Sequence, residues 1–310
     1  MSRERLLTDA EAASNLAAIL ASPSYRLAEQ DTQFLARPGL RPVRMQLELL
    51  KPETILLEHG IVSTVVVFGS TQVIERRFAE ARLAAARSAL AEAKDNALAA
   101  AKDTAQVAAP AEAQRDAILS RVVARCERLL DLSHYYDEAR EFARLISEYG
   151  QSTQPLDYVI VTGGGPGIME AANRGAYDIG ASSIGLNITL PAEQHPNPYI
   201  TPGLAFQFHY FALRKMHFLL RARALIVFPG GFGTLDELFE TLTLRQTGRM
   251  QELPVVMYGR DYWRNVVNFQ FLADQGAIAD AHLSLISYAD TPQEAFETIV
   301  KLNEGVKPPG

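Results

Sequence analysis

Two glycine-rich turns constrain this chain more than any other feature of its sequence. The first reads Val161-Thr162-Gly163-Gly164-Gly165-Pro166-Gly167-Ile168-Met169-Glu170. The second reads Val227-Phe228-Pro229-Gly230-Gly231-Phe232-Gly233-Thr234-Leu235-Asp236-Glu237. Each follows an apolar run and opens a helical one. Glycine lets backbone N–H groups approach a ligand with no Cβ in the way. The helix that follows presents unpaired N–H donors and a positive dipole end. Such a junction is an anion site, usually for phosphate. Two of them in one sheet predict a shared crevice at the carboxyl ends of the strands.

The surrounding pattern supplies that sheet. Val65-Val66-Val67-Phe68 is continuously apolar and largely β-branched, as suits a strand buried on both faces. From Tyr135 to Ser287 strands and helices alternate. Strands are expected at Asp157–Thr162, Ser183–Ile188, Ala224–Phe228, Pro254–Tyr258 and Leu283–Ser287. Helices are expected at Glu138–Tyr149, Ile168–Asp178, Tyr210–Arg221, Thr234–Thr247 and Trp263–Gln275. The pattern predicts an α/β fold, a Rossmann-like doubly wound parallel sheet with helices on both faces.

Two segments lie outside that alternation. Residues 1–59 read as an N-terminal flank: helix, loop, then a short connection. Thr8 and Glu11 are spaced as a capping box. Ala36–Pro42 is broken by two prolines and a glycine and is expected not to be helical. The second segment, about 75–130, is an alanine-rich helical insertion with a corner at Pro110. It reads equally as an oligomer-forming arm or as a solvated helix pair. Residues 60–305 are then a single catalytic domain, with no internal repeat.

Neither turn carries a standard nucleotide signature. GxGxxG fails because Ile168 stands where a glycine is needed, and GxxxxGK[ST] is absent. Nicotinamide and ATP enzymes are thereby disfavoured; a mononucleotide or sugar phosphate remains. Thr234-Leu235-Asp236-Glu237 also fits a capping box, in which Glu237 only binds its own backbone. A cap, however, does not require the Pro-Gly-Gly-Phe-Gly before it.

Together these residues resemble the Lonely Guy (LOG) family of phosphoribohydrolases, long mislabelled as lysine decarboxylases. PGGFGTLDE at 229–237 fits PGGxGTxxE, and TGGGPGIMEAANRGA at 162–176 and the upstream Arg214-Lys215 fit as well. The resemblance covers roughly residues 60–300, and the first turn is the version seen in a longer bacterial branch. It implies hydrolysis of the N-glycosidic bond of a purine nucleoside 5′-monophosphate, AMP or a cytokinin riboside 5′-monophosphate, to free base and ribose 5-phosphate. It further implies Arg214 and Glu237 as the catalytic pair, with Lys215 beside the arginine. Gly230, Gly231, Gly233 and Thr234 would hold the 5′-phosphate, and Thr243 would contact substrate. No lysine stands in a recognisable pyridoxal-phosphate motif. A non-hydrolytic nucleotide-binding regulatory protein is the alternative reading.

The residue types suit that chemistry. N-ribosyl cleavage passes through an oxocarbenium-like state, which needs a nearby anion and a placed water. Glu237 is expected in the first turn of its helix, where the dipole favours the ionised form. Arg214 is suited to bidentate contacts, although an arginine on a helix that also carries Lys215, His217 and Arg221 has an ordinary surface reading too. Gly163, Gly164, Gly165 and Gly167 of the first turn are expected to cradle substrate. Glu170 either contacts ribose or only complements the helix dipole. The proline-stiffened loop Leu190–Pro198 lies at the ligand end and is a candidate wall of the base pocket.

Composition narrows the class further. The 310 residues carry a net charge of −6 and a single cysteine, Cys126. An acidic chain is a poor match for nucleic acid or anionic membrane, so neither is expected as a partner. One cysteine allows no intrachain disulfide, and His209 and His217 lack metal-ligand spacing. No metal or cofactor is expected, and Cys126 is expected to be packing. The stretch after Met1 is broken by Asp9, Glu11 and Asn15, a poor signal peptide. No apolar run approaches a membrane helix. The expectation is a cytoplasmic protein, a homodimer or higher homo-oligomer by family resemblance.

Overall fold

A computed structural model describes residues 8–104, 110–152, 154–189 and 195–306. The chain divides into two compact units, Met1–Pro52 and Glu53–Gly310. In the first, α1 (Asp9–Ala21) starts at the Thr8–Glu11 capping box, which is present as the sequence predicts. The short α2 (Thr32–Leu35) is capped by Asp31. Residues 41–58, expected as a short connection, instead form α3 (Arg41–Glu58), which runs across the division into the second unit. Pro42 did not forbid it, since it sits in the first turn, where its missing N–H has no partner to lose; Pro52 lies in the helix interior and the helix continues through it. Pro38–Leu40, within the segment expected to be non-helical, is a 3-10 turn.

The second unit is built on one parallel sheet. Its strands are β1 (Thr64–Phe68), β2 (Val159–Thr162), β3 (Ser183–Ile188), β4 (Ala205–Phe208), β5 (Ala222–Val227), β6 (Val255–Tyr258) and β7 (Ser287–Ala289). They lie in the order β4-β3-β2-β1-β5-β6-β7. Every pairing is parallel. β1 is central and buried at every position, which is why its sequence does not alternate. The doubly wound fold expected from the sequence is therefore present.

The helices are α4 (Arg76–Thr104), α5 (Pro110–Asp131), α6 (His134–Gly150), α7 (Ile168–Tyr177), α8 (Phe211–Leu220) and α9 (Phe232–Gln246). Then come α10 (Arg260–Val266), α11 (Phe269–Asp274) and α12 (Pro292–Leu302). Tyr136, Phe142 and Ile146 of α6, Ile168 and Ala172 of α7 and Ile299 of α12 pack on Val65, Val67, Ile160 and Ile226. On the opposite face Phe218 of α8 meets Phe68 edge-on at 4.8 Å. Trp263 of α10 donates its indole N–H to the Val227 carbonyl at 3.0 Å. α4 and α5 form the alanine-rich hairpin, and Cys126 is buried within it as packing. The corner before Pro110 lies outside the described residues.

Three element assignments need correction. β4 was not foreseen, because Ala205-Phe206-Gln207-Phe208 alternates exposed and buried as an edge strand does. The last strand falls at Ser287–Ala289; the apolar stretch before it, Asp280–Leu285, is a 3-10 helix. The single helix expected at Trp263–Gln275 is two short ones, separated at Val267-Asn268. Among the described residues no helix is long and apolar enough to cross a membrane.

Candidate active site

Moving out from β1, the chain fills one side of the sheet with β2, β3 and β4 and the other with β5, β6 and β7. The switch point is therefore between β1 and β5, and a ligand crevice is expected beyond their carboxyl ends. A cavity of about 410 Å³ lies there. Phe68 to Gln72 line it from the end of β1, Gly163 and Met169 from the first turn, and Phe211 and Arg214 from α8. The second turn and α9 contribute Gly231 to Thr234, Asp236 and Glu237.

The second turn is an open helix N-terminus. Gly231 is the N-cap and no side chain caps it; the first intrahelical bond is Leu235 N–H to the Gly231 carbonyl at 2.9 Å. The N–H groups of Phe232, Gly233 and Thr234 therefore lack a carbonyl one turn back. Gly231 and Gly233 have open space where a Cβ would stand, whereas Gly230 packs tightly on Thr234. Thr234 is the third helical residue, so the capping box read from Thr234 and Glu237 does not form. A ready anion site is left instead.

Glu237 is the sixth residue of α9, one turn later than expected, and the dipole argument made for it does not decide its charge. Burial dominates and raises its carboxyl to about 7, against the opposing pull of Lys215 and Arg214. The crevice therefore contains a carboxyl poised to hold or release a proton near neutrality.

Arg214 is half-buried and interacts electrostatically with it. Its Nε donates to the Leu186 carbonyl at 2.6 Å, its Nη2 reaches the Gly163 carbonyl at 3.5 Å, and its guanidinium lies 5.1 Å from the centre of the Phe218 ring. Burial pulls its affinity for a proton down and the nearby Glu237 charge pushes it up; a guanidinium stays charged in either case. Among the described residues Arg214 makes no direct ion pair. A half-buried cation hydrogen-bonded to neutral carbonyls, in the same crevice as the open start of α9, favours an anionic ligand even with Glu237 nearby.

The first turn is mainly a support. Gly163 lines the crevice; Gly164, Gly165 and Gly167 do not. Gly164 backs onto Asn187 and Gly165 onto Met169. Gly167, at φ 74°, presses on the Ser70 carbonyl and caps α7. A left-handed φ with no room for a Cβ explains that glycine. Beneath the turn lies a buried amide network. Asn173 accepts from Thr162 Oγ1 at 2.7 Å and from Asn197 Nδ2 at 2.9 Å, and donates to Ser183 Oγ at 3.0 Å. Asn197 in turn donates to the Gly165 carbonyl at 3.1 Å. Of the loop proposed as a base-pocket wall, Leu190–Gln194 lie outside the described residues; Asn197 serves the turn rather than the crevice.

Other expected site residues stand apart. Lys215 does not line the crevice; it bridges Asp236 at 2.8 Å and Glu240 at 3.0 Å. Glu170 accepts the Tyr136 hydroxyl proton at 2.8 Å. Thr243 is exposed further along α9 and donates to the Phe239 carbonyl of its own helix at 2.7 Å. His217 is buried against Glu53, 3.7 Å away, which also holds Arg221 at 2.8 Å. Among the described residues no cluster of three or more potential ligands could hold a metal ion. Conversely, sequence reasoning missed Ser70, Thr71, Gln72, Met169, Phe211 and Phe232. The available signals were Phe232, an aromatic inside the glycine turn, and the loop that follows the continuously apolar Val65–Phe68; in the structure Phe232 is 91% exposed.

Fold and site together define a Rossmann-like α/β protein with a crevice at its switch point, lined by an open helix N-terminus and a partly buried carboxyl raised to about 7. A family model described as "Possible lysine decarboxylase" matches residues 169–299. The rice protein cytokinin riboside 5′-monophosphate phosphoribohydrolase LOG is 30% identical over 176 residues, 56% of this chain and 67% of that protein. Arabidopsis thaliana LOG3, named for the same activity, is 29% identical over 150 residues, 47% of this chain and 66% of that one. Among solved structures, the molybdenum cofactor binding protein of Rippkaea orientalis aligns over 54% of this chain and 87% of its own, with 21% identity and a TM-score of 0.39. The chain belongs to the LOG family, whose named members are nucleotide phosphoribohydrolases.

Proposed function

We propose that this chain hydrolyses the N-glycosidic bond of a purine nucleoside 5′-monophosphate, AMP or a cytokinin riboside 5′-monophosphate, to free base and ribose 5-phosphate. The observation that carries this reading is the pairing, in one crevice, of the open α9 N-terminus with the partly buried carboxyl of Glu237.

The 5′-phosphate is taken by the N–H groups of Phe232, Gly233 and Thr234, with the charge of Arg214 nearby. That anchorage holds the ribose against Glu237. The C1′–N bond breaks with its electron pair leaving on the base, and positive charge develops across C1′ and the ring oxygen. Ionised Glu237 stabilises that charge and takes a proton from the attacking water as its oxygen bonds to C1′. The proton that Glu237 takes from water is passed, directly or through solvent, to the departing base, which returns Glu237 to its ionised form and closes the balance.

The test is to incubate the full chain with AMP and with a cytokinin riboside monophosphate, and to quantify base and ribose 5-phosphate by chromatography. Stoichiometric release, lost about 100-fold or more in Glu237→Gln, is the expected result. Tight binding without release would replace it with the nucleotide-binding reading.

A further inference from the structure

Gln72 lines the crevice from the β1 loop. Its amide is held from outside: Arg82, on the second turn of α4, donates Nη1–H to Gln72 Oε1 at 3.2 Å. A guanidinium has donors only, so this contact settles which end of the amide is which. The oxygen is turned to α4 and the NH₂ is left for the other side. There Nε2 lies 3.4 Å from Thr71 Oγ1, itself a crevice residue. One N–H goes to that hydroxyl, and the second has no partner among the described residues.

The backbone under this side chain is equally restrained. Gln72 N–H donates to Ser70 Oγ at 3.0 Å, and Glu75, at the root of α4, pairs with Arg174 at 3.0 Å. With its oxygen turned to α4, the amide offers the crevice side its NH₂, a donor. Ribose hydroxyls both donate and accept, and so gain little from a fixed amide. Phosphate has the α9 N-terminus. The unsubstituted ring nitrogens of an adenine-type base, N1, N3 and N7, only accept, and in fixed directions.

We propose that Gln72 reads an acceptor nitrogen of the substrate's base, and that Arg82 of the alanine-rich hairpin positions it as a donor. This rests on the phosphoribohydrolase reading and gives the hairpin a part in choosing substrate.

The test uses AMP and its 1-deaza, 3-deaza and 7-deaza analogues, each of which lacks one acceptor nitrogen. They are compared as competitive inhibitors of base release, so that altered leaving-group chemistry does not intrude. One analogue is expected to bind the unmodified chain about threefold to tenfold more weakly than the other two, as befits one neutral hydrogen bond. That penalty should vanish in Gln72→Ala, shrink in Arg82→Ala and be restored in Arg82→Lys, which also only donates. Equal inhibition by all three analogues, or a penalty that survives Gln72→Ala, overturns the base-reading role. A full penalty in Arg82→Ala overturns the positioning role. Failure of the underlying activity would look different: no base released from any monophosphate by the unmodified chain, and this proposal would fall with it.

Discussion

A Cβ added to Gly163 would stand 2.5 Å from Arg214 Nη2 and 2.8 Å from Met169 Sδ. The first glycine turn thus sets where the crevice guanidinium rests. Gly163→Ala should push Arg214 off the Leu186 carbonyl and lower kcat/KM by about tenfold to 100-fold. The stability cost should be modest, about 1–3 kcal/mol, because the atoms in the way are the ends of flexible side chains. Steady-state kinetics beside thermal melting would check this; unchanged kcat/KM would show that the placement of Arg214 is not used.

Glu237 should make stability depend on pH in the direction opposite to most carboxylates. Its folded value, about 7, exceeds the ordinary 4.5. Between those two values the folded state holds the extra proton, so stability falls as pH rises through the window. The full span corresponds to at most about 3 kcal/mol. Glu237→Gln, which carries no charge, should therefore melt higher than the parent at pH 8, with the gain gone by pH 4.5. A gain of the same size at both pH values would count against a buried, shifted carboxyl.

Lys215 is expected to matter through charge rather than contact. It is the largest electrostatic influence holding the Glu237 carboxyl down. Lys215→Ala should move the acid limb of the pH–rate profile to higher pH while leaving the plateau at alkaline pH largely intact. A plateau lost in parallel would instead indicate direct contact with substrate.

Asn173 should be the costliest of the polar residues beneath the first turn. Asn173→Ala would leave Thr162, Ser183 and Asn197 short of partners in the buried interior. One buried unmatched polar group costs ~1–3 kcal/mol, so a loss of roughly 3 kcal/mol in denaturant unfolding is expected. A loss under about 0.5 kcal/mol would mean that the network relaxes.

The strands were legible where burial on both faces had written continuous β-branched runs, as at Val65–Val67. β4 was not, because an edge strand with exposed Ala205 and Gln207 carries a weaker signal. α3 was hidden by its prolines: Pro42 is harmless in the first turn, and the helix also runs on through Pro52 in its interior. At the site, both turns announced themselves because open helix N-termini and tight packing both demand glycine. The state of Glu237 did not, since the burial that shifts it comes from residues remote in sequence. Ser70, Thr71 and Gln72 were passed over because hydroxyls and amides in a loop belong to no motif; only the place of β1 in the sheet makes them part of the crevice.

That place also sets an order of events. β1 lies between β2 and β5, and its Thr64 pairs with both Val159 and Ala222. The crevice has walls from either side of that junction, so it cannot exist until β5 has been synthesised and has closed a loop of roughly 160 residues onto the first strand. During translation β1 must wait, first with both edges open and, once β2 has paired, with one. The long helical hairpin that follows it emerges in that interval, a locally folding element made before the distant partner arrives.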